Sequence, residues 1–156
     1  MLRMCLTAAF VFVLDRISKW LVLDVIDLPS VGGIDVLPPV LNLRMAWNFG
    51  VNFGLLADDS ALVRWSLITV ALAITLAVAF WMRNERGAAA RISAGVLIGG
   101  ALGNVFDRIA YGAVADFLNM SCCGIDNPYS FNVADVAIFI GAAGLILSTG
   151  NGAKSS

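Results

Sequence analysis

The chain has 156 residues, of which 60% are hydrophobic and only 13% are charged, and its formal net charge is −1. Soluble domains carry roughly 45–50% apolar and about 25% charged residues, so this composition indicates a single integral membrane domain over residues 1–156. The small net charge and the lack of a Lys/Arg cluster give no reason to expect a nucleic-acid partner. Histidine is absent from the sequence, which excludes Ser-His-Asp and Cys-His catalysis and leaves carboxylates as the best candidates for chemistry.

Four apolar segments are long enough to cross a membrane as helices, because about 20 helical residues span a hydrocarbon core of about 30 Å. They cover approximately residues 2–23, 65–82, 88–106 and 133–148. Trp65 and Trp81 bracket the second segment, as expected of residues at the two membrane interfaces. We therefore predict a mainly α membrane protein with four transmembrane helices.

The N-terminal segment also has features of a signal peptide, since Arg3 precedes an apolar run that begins at Met4. No small-x-small cleavage site follows before Asp15, so we interpret the segment as a retained transmembrane helix. Asp15 and Lys19 are four residues apart and share a helix face. An ion pair between them would lower the free-energy cost of burying either side chain.

Basic residues predict the orientation. The loop 83–91 contains three arginines, and Arg3 and Lys154 lie on the same side of a four-span topology. The positive-inside rule then places both termini in the cytoplasm. The two longer loops, about 24–63 and 107–132, then lie on the outer side of the membrane. Most of the aspartates are in or beside these loops.

The first outer loop, about 24–63, is predicted to be structured. Short β-like runs at 31–41 and 42–48 are bounded by Gly and Pro, which predicts a small β-sheet on the outer (periplasmic) side. The next segment, 48–54, mixes amides, aromatic residues and two glycines. This composition suits a tight turn that exposes backbone groups, and an ordinary Asn/Gly turn explains it equally well.

The three cysteines point to no specific chemistry. Cys5 lies in the first apolar segment, where it would pack as a small apolar residue. Cys122 and Cys123 are adjacent and could pair with each other only as a strained vicinal bridge. With no histidine and no CxxC pair, metal binding is poorly supported. We treat the cysteines as incidental and expect no metal or cofactor.

The strongest group of polar residues lies between residues 99 and 135. Asn104 and Arg108 are four residues apart, hence on one face of a helix, and Asp116 follows eight residues later. Asn132 and Asp135 are three apart at the start of the fourth apolar segment. Polar residues at wet helix ends would explain any one of these positions, but they explain the whole set poorly.

Two nearby carboxylates permit aspartic proteolysis, because they cannot both ionise cheaply and therefore hold one proton between them. The ionised member takes a proton from a water that attacks the peptide carbonyl. The protonated member donates to the developing oxyanion and then to the leaving amine. Such a pair titrates as a unit.

Five short motifs occur in order along nearly the whole chain. They are Asp15-Arg-Ile-Ser-Lys19, Asn48-Phe-Gly-Val-Asn-Phe53, Gly99-Gly-Ala-Leu-Gly-Asn-Val-Phe-Asp-Arg108, Val114-Ala-Asp-Phe117 and Phe131-Asn-Val-Ala-Asp135. Together they resemble the motif blocks of bacterial lipoprotein signal peptidase (signal peptidase II). The resemblance implies an intramembrane aspartic endopeptidase that removes the signal peptide from diacylglyceryl-modified prolipoproteins, cleaving before the lipidated Cys.

The resemblance also implies roles for individual residues. The catalytic pair would be Asp116 and Asp135. The residues that line the site or bind substrate would be Asn48, Asn104, Arg108 and Asn132. Structural support would come from Asp15, Lys19 and Gly50. The implied partners are lipid-modified prolipoprotein and membrane lipid, and we expect a monomer in the bacterial cytoplasmic (inner) membrane with its active site near the outer face.

The chain departs from the family pattern at two places. Ala115 stands before the first catalytic Asp, where the family usually has a bulkier aliphatic residue, and the segment 120–129 is unusual. Two other classes of protein fit the sequence less well than a protease. A proton-coupled transporter would need ionisable residues along a pathway, and the cytoplasmic halves of the second and third spans lack them. A non-catalytic assembly subunit would need no paired carboxylates at one depth.

Overall fold

The computed structural model describes residues 1–38, 40–50, 60–85, 87–122 and 127–150. The helices are α1 (Leu2–Trp20), which continues as a π-helical turn (Leu21–Val25), the short α2 (Leu28–Val31), α3 (Ala61–Trp81), α4 (Ala88–Ala110) and α5 (Val133–Gly150). The strands are β1 (Gly33–Leu37), β2 (Leu41–Asn48) and β3 (Val114–Asn119). The predicted mainly α fold with a small sheet is confirmed at this level.

Each predicted span coincides with a long helix, with differences at the ends. Helix α3 begins four residues before the predicted start, because Ser60 caps it by accepting a hydrogen bond from the Val63 N–H at 3.4 Å. Helix α4 continues four residues past the predicted end, to Ala110. Helices α3 and α4 are long and apolar enough to cross a membrane, and the apolar part of α5 is shorter.

Helix α4 is the central helix and packs against α1, α3 and α5. Its glycines allow close approach of the neighbouring backbones. A Cβ on Gly99 would lie 2.5 Å from the Ala8 carbonyl oxygen of α1, and a Cβ on Gly141 of α5 would lie 2.5 Å from the Leu97 backbone nitrogen of α4. Small residues serve the same purpose at helix interfaces in membranes, where van der Waals packing drives association.

Burial separates the central helix from the peripheral one. In the most apolar window of α4 61% of the residues are buried, against only 11% in α3. A helix that is apolar throughout and yet largely exposed presents the surface expected of a lipid-facing helix. The buried apolar core at this level of the bundle includes Met4, Met82, Leu97 and Leu145.

The three strands form one antiparallel sheet in the order β1-β2-β3. Strand β2 pairs with β3 so that Ala46 is opposite Asp116 and Trp47 is opposite Ala115, with an irregularity in the register between Leu43 and Ala46. The sequence predicted a sheet within residues 24–63 only and placed Asp116 in a loop. Strand β3, which lies outside that region, was missed.

The start of α5 is attached to the sheet. Phe131 forms a bridge to Leu118, with N–H to carbonyl hydrogen bonds of 2.9 and 2.8 Å in the two directions. Val22, Leu28 and Phe117 form a second buried cluster, which joins the end of the first helix to β3. These contacts hold the strand and the helix start at one end of the bundle.

Several sequence-based expectations fall partly outside the described residues. The predicted turn 48–54 is described only as far as Gly50, and residues 51–54 lie outside the described part, as do Cys123 and Lys154. Cys5 is a free, exposed thiol on the outside of the first helix, so the expectation that it packs was wrong, and Cys122 is disulfide-bonded.

Candidate active site

Asp116 lies in the middle of β3 and is only 2% exposed. Two amides from different elements hold its carboxylate. Asn132 Nδ2 donates to Oδ1 at 2.6 Å, and Asn48 Nδ2, at the end of β2, donates to Oδ2 at 3.0 Å. Because each oxygen has its own donor, the plane of the carboxylate is fixed.

Asp135 lies in the first turn of α5 and forms a reciprocal cap with Asn132, the residue before that helix. The Asp135 N–H donates to Asn132 Oδ1 at 2.9 Å, and the Asn132 N–H donates to Asp135 Oδ2 at 3.2 Å. This is the pattern of a capping box, with Asn and Asp in place of the usual Ser/Thr and Glu. The second carboxylate oxygen accepts from Asn104 Nδ2 of α4 at 2.8 Å.

Asn132 connects the two carboxylates. It is completely buried, its side chain binds Asp116, and its backbone binds Asp135. Its Nδ2 also lies 3.2 Å from Asn104 Oδ1. The structure therefore brings together in one polar cluster the residues of three motifs that are far apart in the sequence.

Burial is the main cause that raises the pKa of Asp116 to about 7, and the negative charge of Asp135 is the second. The hydrogen bonds from Asn48 and Asn132 and the charge of Lys19 act in the opposite direction. Desolvation thus outweighs the donors, and the carboxyl pair retains a proton close to neutral pH.

Arg108 is on α4 beside this cluster and holds the chain that follows β2. Its Nη2 donates to the Gly50 carbonyl oxygen at 2.8 Å, and its Nη1 lies 3.5 Å from the Asn104 carbonyl oxygen. The Gly50 N–H in turn donates to Asn48 Oδ1 at 3.1 Å. Arg108 also interacts electrostatically with both Asp116 and Asp135. Gly50 is therefore held beside the carboxylates from two sides.

Asp15 and Lys19 form the ion pair that their spacing predicts, with Nζ 3.0 Å from Oδ2. Both side chains are buried. Two further residues complete a cluster that the sequence analysis did not single out, Arg16 of α1 and Asp107 of α4. The available signal was an Asp inside the Gly99–Arg108 motif, which we placed beyond the end of the third span. Among the described residues, no group of three or more His, Cys, Asp or Glu side chains could hold a metal ion.

A family model for signal peptidase II matches residues 7–150. The chain belongs to the signal peptidase II family. It is 41% identical over 143 residues to a lipoprotein signal peptidase of Methylobacterium sp. (strain 4-46), an alignment covering 92% of this chain and 86% of that protein. It is 38% identical over 140 residues to that of Sphingopyxis alaskensis, covering 89% and 80% of the two chains.

The fold is also similar to that of a solved bacterial membrane enzyme, determined by the in meso method at 2.3 Å resolution. The TM-score is 0.81 at 25% identity, and the match covers 98% of this chain and 90% of the other. The predicted family and enzyme class, a membrane-bound aspartic signal peptidase that processes lipoproteins, are confirmed by these similarities.

Proposed function

We propose that the chain removes the signal peptide of diacylglyceryl-modified prolipoproteins by cleaving the peptide bond before the lipidated Cys, with Asp116 and Asp135 as its catalytic pair. The observation that carries this proposal is the position of Asn132, which binds both carboxylates at once. The pKa of about 7 for Asp116 supports a pair that shares one proton below that pH.

The reaction uses the two carboxyl groups as one acid and one base. The carboxylate takes a proton from a water as the water oxygen attacks the scissile carbonyl carbon, and the carboxylic acid protonates the oxyanion that forms. When the tetrahedral intermediate collapses, the C–N bond breaks and a proton passes to the amine nitrogen of the lipidated Cys. The products are a signal-peptide carboxyl terminus and a lipoprotein amino terminus.

Asn48, Asn104 and Asn132 line this site. Their amide groups donate to the carboxylates, so we assign them to holding the carboxyl pair where an extended peptide would bind. Arg108 and Gly50 fix the adjacent segment. Asp15 and Lys19 support the site from α1.

We place the chain in the bacterial cytoplasmic membrane as one domain and as a monomer, with four spans near 2–23, 65–82, 88–106 and 133–148 and both termini in the cytoplasm. The C-terminal end of α4, the start of α5 and the sheet lie together, which supports an active site at one membrane surface. With the termini inside, that surface is the outer one. A substrate anchored by its acyl chains would reach this depth with its scissile bond already positioned, and such positioning supplies much of a rate enhancement.

The test is a gel-shift assay of purified protein in detergent with a prolipoprotein substrate. We expect cleavage of the lipid-modified precursor and little or none of the unmodified precursor. Asp116→Asn and Asp135→Asn should each abolish cleavage while the protein stays folded. Equal cleavage of both precursors would refute the role of the lipid, and a wild-type rate in either Asn variant would refute the catalytic pair.

The matched control is Asp35→Asn, the same substitution in an exposed ion pair with Arg44 on the edge strand β1. Asp35 is exposed and pairs with Arg44, so this variant should cleave at the wild-type rate. A large loss there would show that the assay responds to any removed carboxylate.

A further inference from the structure

We propose that the ion cluster of Asp15, Arg16, Lys19 and Asp107, in which all but Arg16 are buried, sets the relative position of the two catalytic carboxylates. Asp107 is then a positioning residue for Asp116, and Asp15 is one for Asp135. This inference rests on the proposed function, because it assigns the cluster to the geometry of that catalytic pair. It adds Arg16 and Asp107 to the residues on which activity depends.

The cluster is a closed ring of two cations and two anions. Arg16 Nη2 lies 2.6 Å from Asp15 Oδ2 and 2.5 Å from Asp107 Oδ1. Lys19 Nζ lies 3.0 Å from Asp15 Oδ2 and 2.5 Å from Asp107 Oδ2. Each cation therefore contacts both carboxylates, and the formal charges cancel. Because the ring joins α1 to α4, it fixes the distance between Asp15 and Asp107.

The carboxylates of Asp107 and Asp15 each also accept a hydrogen bond from the backbone N–H of the residue just before a catalytic Asp. Asp107 Oδ2 accepts from the Ala115 N–H at 3.2 Å, and Asp15 Oδ1 accepts from the Ala134 N–H at 3.2 Å. Ala115 and Ala134 are the residues immediately before Asp116 and Asp135, and both are completely buried. The strand and the helix that carry the catalytic pair are thus attached to a single unit.

The first of these attachments is made at a sheet edge. At Ala115, β3 pairs with β2 on one side, and on the other side the Ala115 N–H donates to Asp107. Among the described residues, this N–H would lack a partner if Asp107 were absent. A buried N–H without a partner costs roughly 1–3 kcal/mol, and β3 would shift to satisfy it. A shift of this strand moves Asp116.

Stability alone does not explain a charged ring at this place. Well-packed apolar residues of similar volume are often as stable as a buried ion pair or more so. Here the surroundings are shaped around the ring. A Cβ on Gly103 would lie 2.6 Å from Asp15 Oδ2, and the Arg16 guanidinium lies 4.6 Å from the centre of the Phe106 ring, which covers it. The ring provides two directed acceptors for backbone N–H groups. Apolar packing would provide none.

The decisive variant is the double substitution Arg16→Gln/Asp107→Leu, which removes one cation and one anion, leaves the ring neutral and removes the acceptor of the Ala115 N–H. The single variant Asp107→Leu leaves an unbalanced buried charge and is expected to lower the folded yield. In the double variant we expect the melting temperature to recover towards the wild-type value. We expect kcat to stay at least about 10-fold below wild type, since a displacement of about 1 Å can cost about 100-fold in rate.

The experiment measures kcat and KM separately for the lipid-modified substrate, with kcat expressed per folded molecule. Because the ring does not touch the substrate, KM should change by less than about threefold. Asp35→Leu is the control, as the same Asp-to-Leu change in an exposed ion pair. A folded double variant with kcat within about twofold of wild type would overturn the inference.

A second variant keeps the inference open to refutation if the double variant does not fold. Arg16→Gln alone leaves Lys19 in contact with both carboxylates, so a smaller loss of kcat is expected, and an unchanged kcat would overturn the inference. If neither variant folds, the ring serves stability alone and the inference is also overturned. These results differ from a failure of the proposed function, in which Asp116→Asn would remain active or the wild type would not cleave the lipid-modified precursor.

Discussion

The raised pKa of Asp116 predicts that the substitution Asp116→Asn stabilises the protein, and that it does so more at pH 8 than at pH 5. The folded protein keeps the Asp116 proton up to a pH of about 7, whereas the ordinary pKa of an Asp side chain is 3.8. Between these values the folded state binds more protons than the unfolded state. Wild-type stability therefore falls as the pH rises from about 4 through about 7, and this loss is absent when residue 116 is Asn.

The size of the effect follows from the shift. A shift from 3.8 to about 7, at 1.36 kcal/mol per pKa unit, corresponds to about 4 kcal/mol once the pH is above both values. Between pH 5 and pH 8 the wild type should lose about 3 kcal/mol of this amount, since part of the loss is already complete at pH 5. Asn at position 116 would face one amide donor with its own NH₂ group, which costs about 1 kcal/mol at every pH. The difference in the free energy of unfolding between the two proteins should therefore be compared across pH, because the constant cost of the Asn side chain then cancels.

The assay is thermal unfolding of the detergent-solubilised wild type, Asp116→Asn and Asp35→Asn from pH 5 to pH 8. The melting temperature of Asp116→Asn minus that of the wild type should grow steadily with pH. Asp35 is in an exposed pair on the sheet edge, so its variant should show no such trend. A difference that is independent of pH, or one that decreases as the pH rises, would refute the argument that burial keeps Asp116 protonated.

Two further predictions concern the proposed catalytic pair and the helix packing. The kcat/KM of the wild type should fall above a pH of about 7. The variant Asn132→Ala should move this fall to higher pH, because the Asn132 hydrogen bond lowers the pKa of Asp116. A pH–rate profile in which the fall moves to lower pH would contradict this prediction. Gly141→Ala should destabilise the protein by about 1–3 kcal/mol, because its Cβ would lie 2.5 Å from the Leu97 backbone nitrogen. In the control Gly87→Ala the nearest atom is the flexible Glu85 Oε1 at 3.1 Å, so equal melting temperatures for the two variants would contradict the packing argument.

The long helices were predictable because a run of about 20 apolar residues is a strong and local signal. The end of α4 was not. Asp107 and Arg108 mark a charged boundary in the sequence, yet the helix continues to Ala110. The charge on Asp107 is balanced by Arg16 and Lys19 from another helix, and no local pattern reveals a partner so distant in the chain.

Strand β3 was missed for a similar reason. Its residues Val114 to Phe117 are all buried, so the strand lacks the alternation of apolar and polar residues that identifies a half-buried strand. The Asp at its centre also favoured a loop. Its position depends on β2, on Phe131 and on Asp107. The motifs nevertheless identified Asp116 and the amides around it, because the identity of these residues does not depend on the element that carries them.

The charges around the carboxyl pair are arranged so that the pair can keep its proton. A free cation beside Asp116 would lower its pKa and favour the doubly ionised pair, which has no acid to donate. The groups that bind Asp116 directly are instead the neutral amides of Asn48 and Asn132. The cations of α1 lie in a ring whose charges cancel. Accordingly, the charge of Lys19 has a smaller effect on the pKa of Asp116 than burial, Asp135 or either amide. The ring can thus hold Ala115 and Ala134 in place without adding a net charge beside the pair. In a chain without histidine, burial and the neighbouring carboxylate keep the proton that the reaction needs as its acid.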